Sequence, residues 1–174
     1  NTVDIDIQVE EQSTGEFSLG GGYSSANGTQ ATIGLSENNF LGKGQRLRFY
    51  ILTSQRQSRL DFSFTEPFFL NRDVAFTSDI FTTVREFPES SYDNETEGIG
   101  LGLRYNVGEY GSQNIRYSLE NREIVAYDGA SSSVKSEAGK NILSLVTFGN
   151  SIDKTNNRID PTDGWYVSNN IGLA

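Results

Sequence analysis

Apolar and polar residues alternate along most of the chain, in segments that end at turn-forming residues. In one such segment, Leu60, Phe62 and Phe64 lie at every second position, and polar residues occupy the positions between them. Because successive side chains of a β-strand point to opposite faces, this pattern predicts strands with one apolar and one polar face. Such strands occur in transmembrane β-barrels, where the apolar face contacts lipid, and in soluble antiparallel sandwiches, where it packs inward. The periodicity alone does not distinguish the two.

Composition favours the barrel. The 174 residues are 35% hydrophobic, and their mean hydropathy is -0.47 although the apolar faces are well formed. A soluble domain of this length normally fills its core from more than alternate positions, whereas an apolar exterior around a polar interior explains both observations. No apolar run approaches the roughly 18 residues of a transmembrane helix, and a barrel strand needs only about 9 to 11 residues to cross. We therefore expect an all-β, antiparallel up-and-down transmembrane β-barrel, of which this chain forms about nine strands in a meander.

Residue usage excludes several kinds of chemistry. The chain has no Cys and no His, which excludes disulfides, thiolate chemistry, the usual zinc sites and Ser-His-Asp catalysis. Its formal net charge is -9 and its 14 basic residues are dispersed, which argues against nucleic-acid binding. We therefore predict no enzymatic activity, no cofactor, no metal and no nucleic-acid partner.

Charged residues on the polar faces are expected to form structural ion pairs across neighbouring strands rather than a catalytic pair such as Asp61 with Asp79. The set comprises Arg46, Arg48, Asp61, Asp79, Arg104, Arg116 and Glu120. The glycines at 98, 100 and 102 look like part of a dinucleotide fingerprint, but the sequence continues in strand alternation without a following helix. We expect these glycines to make room on the polar face instead.

The pattern predicts nine barrel strands and no convincing helix. They are residues 16–24, 29–38, 45–54, 58–66, 73–83, 96–107, 113–126, 140–153 and 165–173. The connections alternate between tight turns, such as 39–44, and longer polar stretches, such as 85–95 and 127–139, which predicts short turns at one end and long loops at the other. Residues 131–136 are predicted to be a solvated loop tip. Aromatic residues near the strand ends are expected to form interfacial girdles: Tyr23, Phe40, Phe68, Phe69, Tyr92, Tyr105, Tyr110, Trp165 and Tyr166.

Five pieces of the chain match one known family in order and spacing. Residues 3–15 look like the end of a domain running into a barrel, and 17–23 like a first barrel strand. Residues 37–44, Glu-Asn-Asn-Phe-Leu-Gly-Lys-Gly, look like the turn after the second strand. Residues 65–69, Thr-Glu-Pro-Phe-Phe, look like the end of the fourth strand, and 160–164, Asp-Pro-Thr-Asp-Gly, like a turn before a mid-barrel strand. Together they resemble the BamA family of outer-membrane protein assembly factors, also called the bacterial surface antigen family. The turn residues concerned are Asn39, Phe40, Leu41, Gly42, Gly44, Pro67, Pro161, Thr162 and Gly164.

The resemblance implies a domain organisation and a function. Residues 1–12 would end the last POTRA domain, where acidic residues in the segment 3–9 favour water, and 13–174 would form the N-terminal part of a barrel in the cell outer membrane of a Gram-negative bacterium. Family members assemble and insert client proteins without enzymatic chemistry, and their partners are the lipid bilayer, unfolded clients and accessory lipoproteins. They have further POTRA repeats upstream and further strands downstream, so the chain would be a fragment, a partly ordered chain or a piece completed by another chain. A secretion transporter of the same superfamily and a passive outer-membrane pore remain alternatives.

The first barrel strand is the expected functional site. In the family it forms a seam that opens laterally, so that a client strand adds to the exposed edge. The corresponding residues here are Phe17, Leu19, Gly20, Gly21, Gly22 and Tyr23. Each glycine in a strand costs about 0.5 to 1 kcal/mol relative to alanine, so this edge should pair weakly. The alternative, which is compatible with the seam, is that the glycines relieve crowding or allow sharp curvature.

Overall fold

The computed structural model describes residues 13–157 and 159–174. These residues form the nine strands β1 (Gly15–Ser24), β2 (Gly28–Phe40), β3 (Gln45–Ser54), β4 (Gln57–Glu66), β5 (Val74–Phe87), β6 (Tyr92–Val107), β7 (Gly111–Ala126), β8 (Gly139–Asp153) and β9 (Tyr166–Leu173). The strands form one sheet in sequence order, and each is antiparallel to its neighbours. The expected all-β meander is confirmed. The expected strand at 3–9 and the domain end at 1–12 lie outside the described residues.

The register aligns apolar residues across the first four strands. On the apolar face, Leu19, Ile33, Ile51 and Leu60 form one row through β1 to β4, each directly opposite the next. Directly opposite side chains of antiparallel strands lie about 4.5 to 5.5 Å apart and pack against each other. A slip by one residue would move every side chain of a strand to the other face, so the alternation in the sequence excludes such a slip.

The apolar face of the sheet is uncovered. Of the described residues only five are buried: Ala130 and Ser118, each with 8% of its surface exposed, and the glycines Gly28, Gly100 and Gly149. Side chains in the middle of the apolar face remain accessible, with Ile99 44% and Val146 43% exposed. In a soluble sandwich, a second sheet would cover these residues. The described residues form a single layer, so the sandwich expectation does not hold for them.

The connection between β5 and β6 is much shorter than the sequence predicts. A long polar loop was expected at 85–95, but both strands continue through polar residues and are joined by a single turn that includes the 3-10 segment Pro88–Ser90. The rings of Phe87 and Tyr92 face each other across this turn at 4.7 Å. Arg56 donates a hydrogen bond of 2.6 Å to Glu89 from the neighbouring turn. The backbone N–H of Glu89 itself, and then Arg56, lower the pKa of the Glu89 carboxyl. The prediction failed because ladder hydrogen bonds extend a strand irrespective of side-chain polarity.

Two further expectations about the connections differ from the structure. The predicted loop tip at 131–136 is largely exposed, as expected, but it contains a short helix where the sequence predicts none, α1 (Ser132–Glu137), whose N-terminus is capped because the Ser131 hydroxyl accepts a hydrogen bond of 3.3 Å from the Val134 N–H. This helix is too short to cross a membrane, and the described residues contain no other helix that is long and apolar enough to do so. Short turns occur at both ends of the sheet, and each end has one longer connection, 127–138 or 154–165. Short and long connections are therefore not segregated.

Candidate functional site

Strand β1 has a free edge within the described part of the chain. It pairs with β2 without interruption from Gly15, opposite Glu37, to Ser24, opposite Gly28. Its other edge faces no described strand. In an antiparallel ladder, backbone N–H and C=O groups point alternately to the two sides, so about half of those in β1 are available to a further strand. The large apolar side chains of this strand are exposed: Phe17 by 66%, Leu19 by 73% and Tyr23 by 78%.

Crowding explains only one of the three consecutive glycines in β1. A Cβ added to Gly20 would lie 2.6 Å from the Thr32 hydroxyl oxygen. At Gly21 and Gly22 the nearest atoms would be 3.7 and 3.5 Å away, which is ordinary contact. Neither residue has a positive φ angle that would require glycine. Because sterics leave room for side chains at both positions, the two glycines weaken strand pairing without relieving a clash.

The turn between β2 and β3 is organised by Asn39. Its side-chain oxygen accepts a hydrogen bond of 2.7 Å from the Gly44 N–H, and its backbone oxygen accepts one of 2.9 Å from the Gly42 N–H. Leu41, Gly42 and Gly44 all have left-handed backbone conformations, with φ of 56°, 70° and 67°. Glycine adopts this region freely, whereas leucine adopts it at a cost. Phe40 is the last residue of β2 and follows a register shift that begins at Glu37. The expected turn residues therefore have clear conformational roles.

The connection between β4 and β5 lies beside this first turn. A Cβ on Gly44 would lie 3.9 Å from a ring carbon of Pro67. The side-chain amide of Gln45 donates a hydrogen bond of 2.5 Å to the Glu66 carboxylate. The same carboxylate accepts a hydrogen bond of 3.1 Å from the Phe68 N–H. Glu66 therefore joins the two turns. The neighbouring proline motif is the only signal of this role in the sequence.

The connection between β8 and β9 is centred on Asn156, a residue that the sequence motif did not single out. Its side-chain oxygen accepts hydrogen bonds of 3.1 Å from the N–H groups of Thr162 and Asp163, and its amide donates one of 2.7 Å to the Thr162 hydroxyl. Pro161 precedes this anchored pair. Gly164 follows it with φ of 101°, where a side chain would overlap the backbone of Lys154 and Thr155. The Pro-Thr-Asp-Gly segment is therefore a closed turn held by an asparagine in the opposite half of the loop.

Most of the predicted girdle residues lie at strand ends or in turns. Lys154 contacts two of them, with its ammonium 5.4 Å from the ring centre of Tyr110 and 5.6 Å from that of Trp165. Two other assignments are wrong. Tyr92 is directly opposite Phe87, and Tyr166 is directly opposite Asp153, and the strand alternation places both on the polar face. Each lies one position along its strand from a residue of the apolar face, so its side chain points to the other side of the sheet. Neither can belong to a girdle on the apolar face.

One ion pair on the polar face joins two strands, but it spans the strand between them instead of linking direct neighbours as expected. Arg116 of β7 and Asp79 of β5 meet at 2.5 Å above Gly100 of β6. A Cβ on Gly100 would lie 2.8 Å from the guanidinium carbon, and one on Gly98 would lie 2.8 Å from the Leu119 carbonyl oxygen. These two glycines therefore make room on the polar face, as predicted. Gly102 does not, because its nearest neighbour would be 3.8 Å away.

The other predicted charged residues pair differently. Asp61 binds Arg59, and Glu120 binds Arg122, each two residues along the same strand and at 2.6 Å. Cross-strand pairing is therefore wrong for these two carboxylates, because an arginine two positions away on the same face is closer. Within the described ranges Arg46, Arg48 and Arg104 form no salt bridge. The described residues also contain no group of three or more metal-binding side chains.

The sequence profile of the Omp85 superfamily domain matches residues 39–174. The chain belongs to the Omp85 superfamily. This assignment covers the sheet from the turn after β2 to the last strand, so the organised turns described above lie within an Omp85 domain.

Relatives within and beyond bacteria support the Omp85 assignment. The chain is 28% identical over 163 residues to the outer membrane protein assembly factor BamA of Nitratidesulfovibrio vulgaris, which covers 93% of this chain and 20% of that protein. It is 24% identical to BamA of Neisseria meningitidis, over 99% of this chain and 24% of that protein. The bovine sorting and assembly machinery component 50 homolog is 24% identical, over 100% of this chain and 37% of that protein. The chain thus spans about a fifth of the length of the first BamA relatives.

The fold matches a solved BamA structure. The crystal structure of BamA from Haemophilus ducreyi lacking POTRA domains 1–3 superposes with a TM-score of 0.66 and 21% sequence identity. The match covers 94% of this chain and 35% of the other chain. The nine-stranded antiparallel sheet is therefore a BamA-like fold, as the resemblance predicted.

Proposed function

We propose that this Omp85 chain forms part of an outer-membrane β-barrel whose apolar face contacts lipid and whose polar face lines the interior. The uncovered apolar face supports this placement, because its side chains would otherwise remain in water at about 25 cal/mol for each Å² of apolar surface. The contact of Lys154 with Tyr110 and Trp165 at one end of the sheet supports it as well, since such residues favour the headgroup level. The names of the bacterial relatives point to the same membrane.

Within that barrel, we assign to β1 the role of a lateral seam in a non-enzymatic assembly factor. The carrying observation is the pair Gly21 and Gly22 in β1, which weaken strand pairing although side chains would fit at both positions. An unfolded client strand would add to the β1 edge through backbone hydrogen bonds, in the manner of β-augmentation. The partners are then the bilayer, unfolded outer-membrane proteins and accessory lipoproteins. No nucleotide or other cofactor enters this scheme, because strand addition needs only an available edge.

A secretion transporter of the same superfamily is the second candidate. Three arginines on the polar face, Arg46, Arg48 and Arg104, have no salt-bridge partner in the described ranges. Arginines without a salt-bridge partner are suited to contact a polypeptide that passes through the interior. Steady secretion of one partner protein without client insertion would favour the transporter, and steady ion conductance without either activity would favour a passive pore.

A disulfide lock tests the seam. This chain has no cysteine, so Gly21→Cys can be paired with a cysteine in the terminal strand of the full-length protein. We expect oxidation to abolish insertion of client barrels into liposomes and reduction to restore it, because a closed seam offers no edge. The matched control is Gly21→Cys with Ala31→Cys, whose residues face each other between β1 and β2 and leave the seam free. Client insertion at the wild-type rate with the seam oxidised, as judged on non-reducing gels, would overturn the assignment.

A further inference from the structure

A groove opens at the end of the sheet where β3, β4 and β5 meet the connection 67–73. It has a volume of about 570 Å³ and is lined by Phe64, Phe76 and Leu70 together with Lys43 and Glu66. We propose that this groove binds one phospholipid whose headgroup contains both a phosphate and a primary ammonium group. The proposal rests on the placement of the sheet in a bilayer, and it adds a lipid site to a part of the chain remote in sequence from the β1 seam.

The apolar wall of the groove suits an acyl chain. Phe69 and Phe76 stack with their ring centres 4.9 Å apart, while Phe68 and Leu70 are 62% and 76% exposed. Leu70 has φ of 56°, a left-handed conformation that is unfavourable for a residue with a Cβ. An exposed leucine in this conformation gains nothing in water. Beside a lipid tail, its burial would offset the cost of the backbone conformation.

The charged wall of the groove suits a zwitterion. Lys43 lines the groove with Glu66, and its charge acts on that carboxylate, but the two form no salt bridge, so the Lys43 ammonium retains hydrogen-bond donors for a phosphate. Each oxygen of the Glu66 carboxylate accepts one hydrogen bond, one from Gln45 and one from the Phe68 N–H, and retains a lone pair for a further donor. A headgroup with phosphate and ammonium satisfies both charges. A glycerol headgroup supplies no cation for Glu66, and a choline headgroup has no N–H to donate.

The position of Glu66 sets the depth of the site. It is the last residue of β4 and lies directly opposite Phe76, on the same face as the apolar row. A carboxylate in the hydrocarbon layer is costly, whereas aromatic rings favour the boundary between hydrocarbon and headgroups. Glu66 and Lys43 therefore lie at headgroup level, and Phe64 lies one step deeper along the same strand face. This is the order in which a phospholipid presents its headgroup and its chains.

Lipid retention by the full-length protein tests this site. The protein is purified in detergent, mixed with equal amounts of phosphatidylethanolamine and phosphatidylglycerol, and its bound lipids are counted by native mass spectrometry. We expect the wild type to retain phosphatidylethanolamine preferentially. Lys43→Gln should lower that retention about fivefold, which corresponds to the loss of one charge-assisted contact of about 1 kcal/mol. Glu66→Gln should abolish the preference over phosphatidylglycerol.

The matched control is Lys154→Gln, which removes a cation from the neighbourhood of Tyr110 and Trp165 without touching the groove. It should retain phosphatidylethanolamine at the wild-type level. Equal retention of both lipids by the wild type, or equal losses in Lys43→Gln and Lys154→Gln, would overturn the proposal. Heat-modifiable gel mobility reports folding, and if a groove variant fails to fold, the wild-type competition decides. Failure here would leave the seam assignment intact, since the disulfide lock measures client insertion and not bound lipid.

Discussion

Gly164→Ala is expected to destabilise the folded sheet by about 2 to 4 kcal/mol, the sum of a left-handed backbone cost and a steric overlap. Gly164 has φ of 101°, and an added Cβ would lie 2.7 Å from the Thr155 Cα and overlap the Lys154 carbonyl oxygen. Both neighbours are backbone atoms, so no side-chain rotation can relieve the contact. The loop would have to open, which breaks the hydrogen bond of 2.9 Å from the Lys154 N–H to the Trp165 carbonyl.

Urea unfolding of the full-length protein in detergent, followed by gel mobility, measures this loss. Gly139→Ala is the matched control, since Gly139 has φ of 119° but an added Cβ would meet nothing within 4 Å. The control should show only the conformational cost of about 1 to 2 kcal/mol. Equal losses in the two variants would mean that the backbone overlap at Gly164 contributes nothing.

The double variant Gly21→Ala/Gly22→Ala is expected to slow client insertion roughly 5- to 30-fold while the barrel becomes more stable. Each alanine removes about 0.5 to 1 kcal/mol of the penalty that glycine imposes on a strand, and a total of 1 to 2 kcal/mol shifts an equilibrium by about that factor. Both Cβ atoms have room, at 3.7 and 3.5 Å from their nearest neighbours. The added stability should therefore make the β1 edge open less often.

Insertion of a purified client barrel into liposomes gives the rate, and urea unfolding gives the stability. Gly102→Ala provides the control, because Gly102 lies in the central strand β6 and its added Cβ would be 3.8 Å from the nearest atom. It should stabilise the barrel without changing the insertion rate. If the double variant were more stable but inserted clients as fast as the wild type, the two glycines would have no role in opening the seam.

The sequence predicts the parts of the fold that depend on the alternation of apolar and polar residues at every second position. The shared face of Leu19, Ile33, Ile51 and Leu60 follows from alternation, since a shift by one residue would place them among polar residues. Turn chemistry is predictable where the conformation demands a residue type. Gly42 is an example, because its left-handed φ of 70° favours glycine.

The missed features depend on contacts that a linear pattern does not encode. Asn156 holds Thr162 through a loop whose path cannot be read from residue spacing. Asp61 pairs with Arg59 of its own strand instead of a cation on a neighbouring strand, and this choice depends on side-chain geometry. The β5 and β6 strands extend past their apolar positions because backbone hydrogen bonds, not side-chain burial, hold their ends together. The family resemblance points to the candidate seam residues. The room beside Gly21 and Gly22 depends on their distances from Gln30 of the neighbouring strand, which residue spacing does not reveal.

The strict sequence order of the sheet also determines how it would come apart under load. Among the described residues, each strand bonds only to the strands next to it in sequence, so no described strand is trapped behind another. Tension applied to β1 would pull its ladder to β2 apart one residue pair after another, like a zipper, and would leave the pairing of β3 with β4 intact until the front arrived. Extraction from this edge therefore proceeds strand by strand, and the force at each step reflects a single ladder rather than the whole molecule.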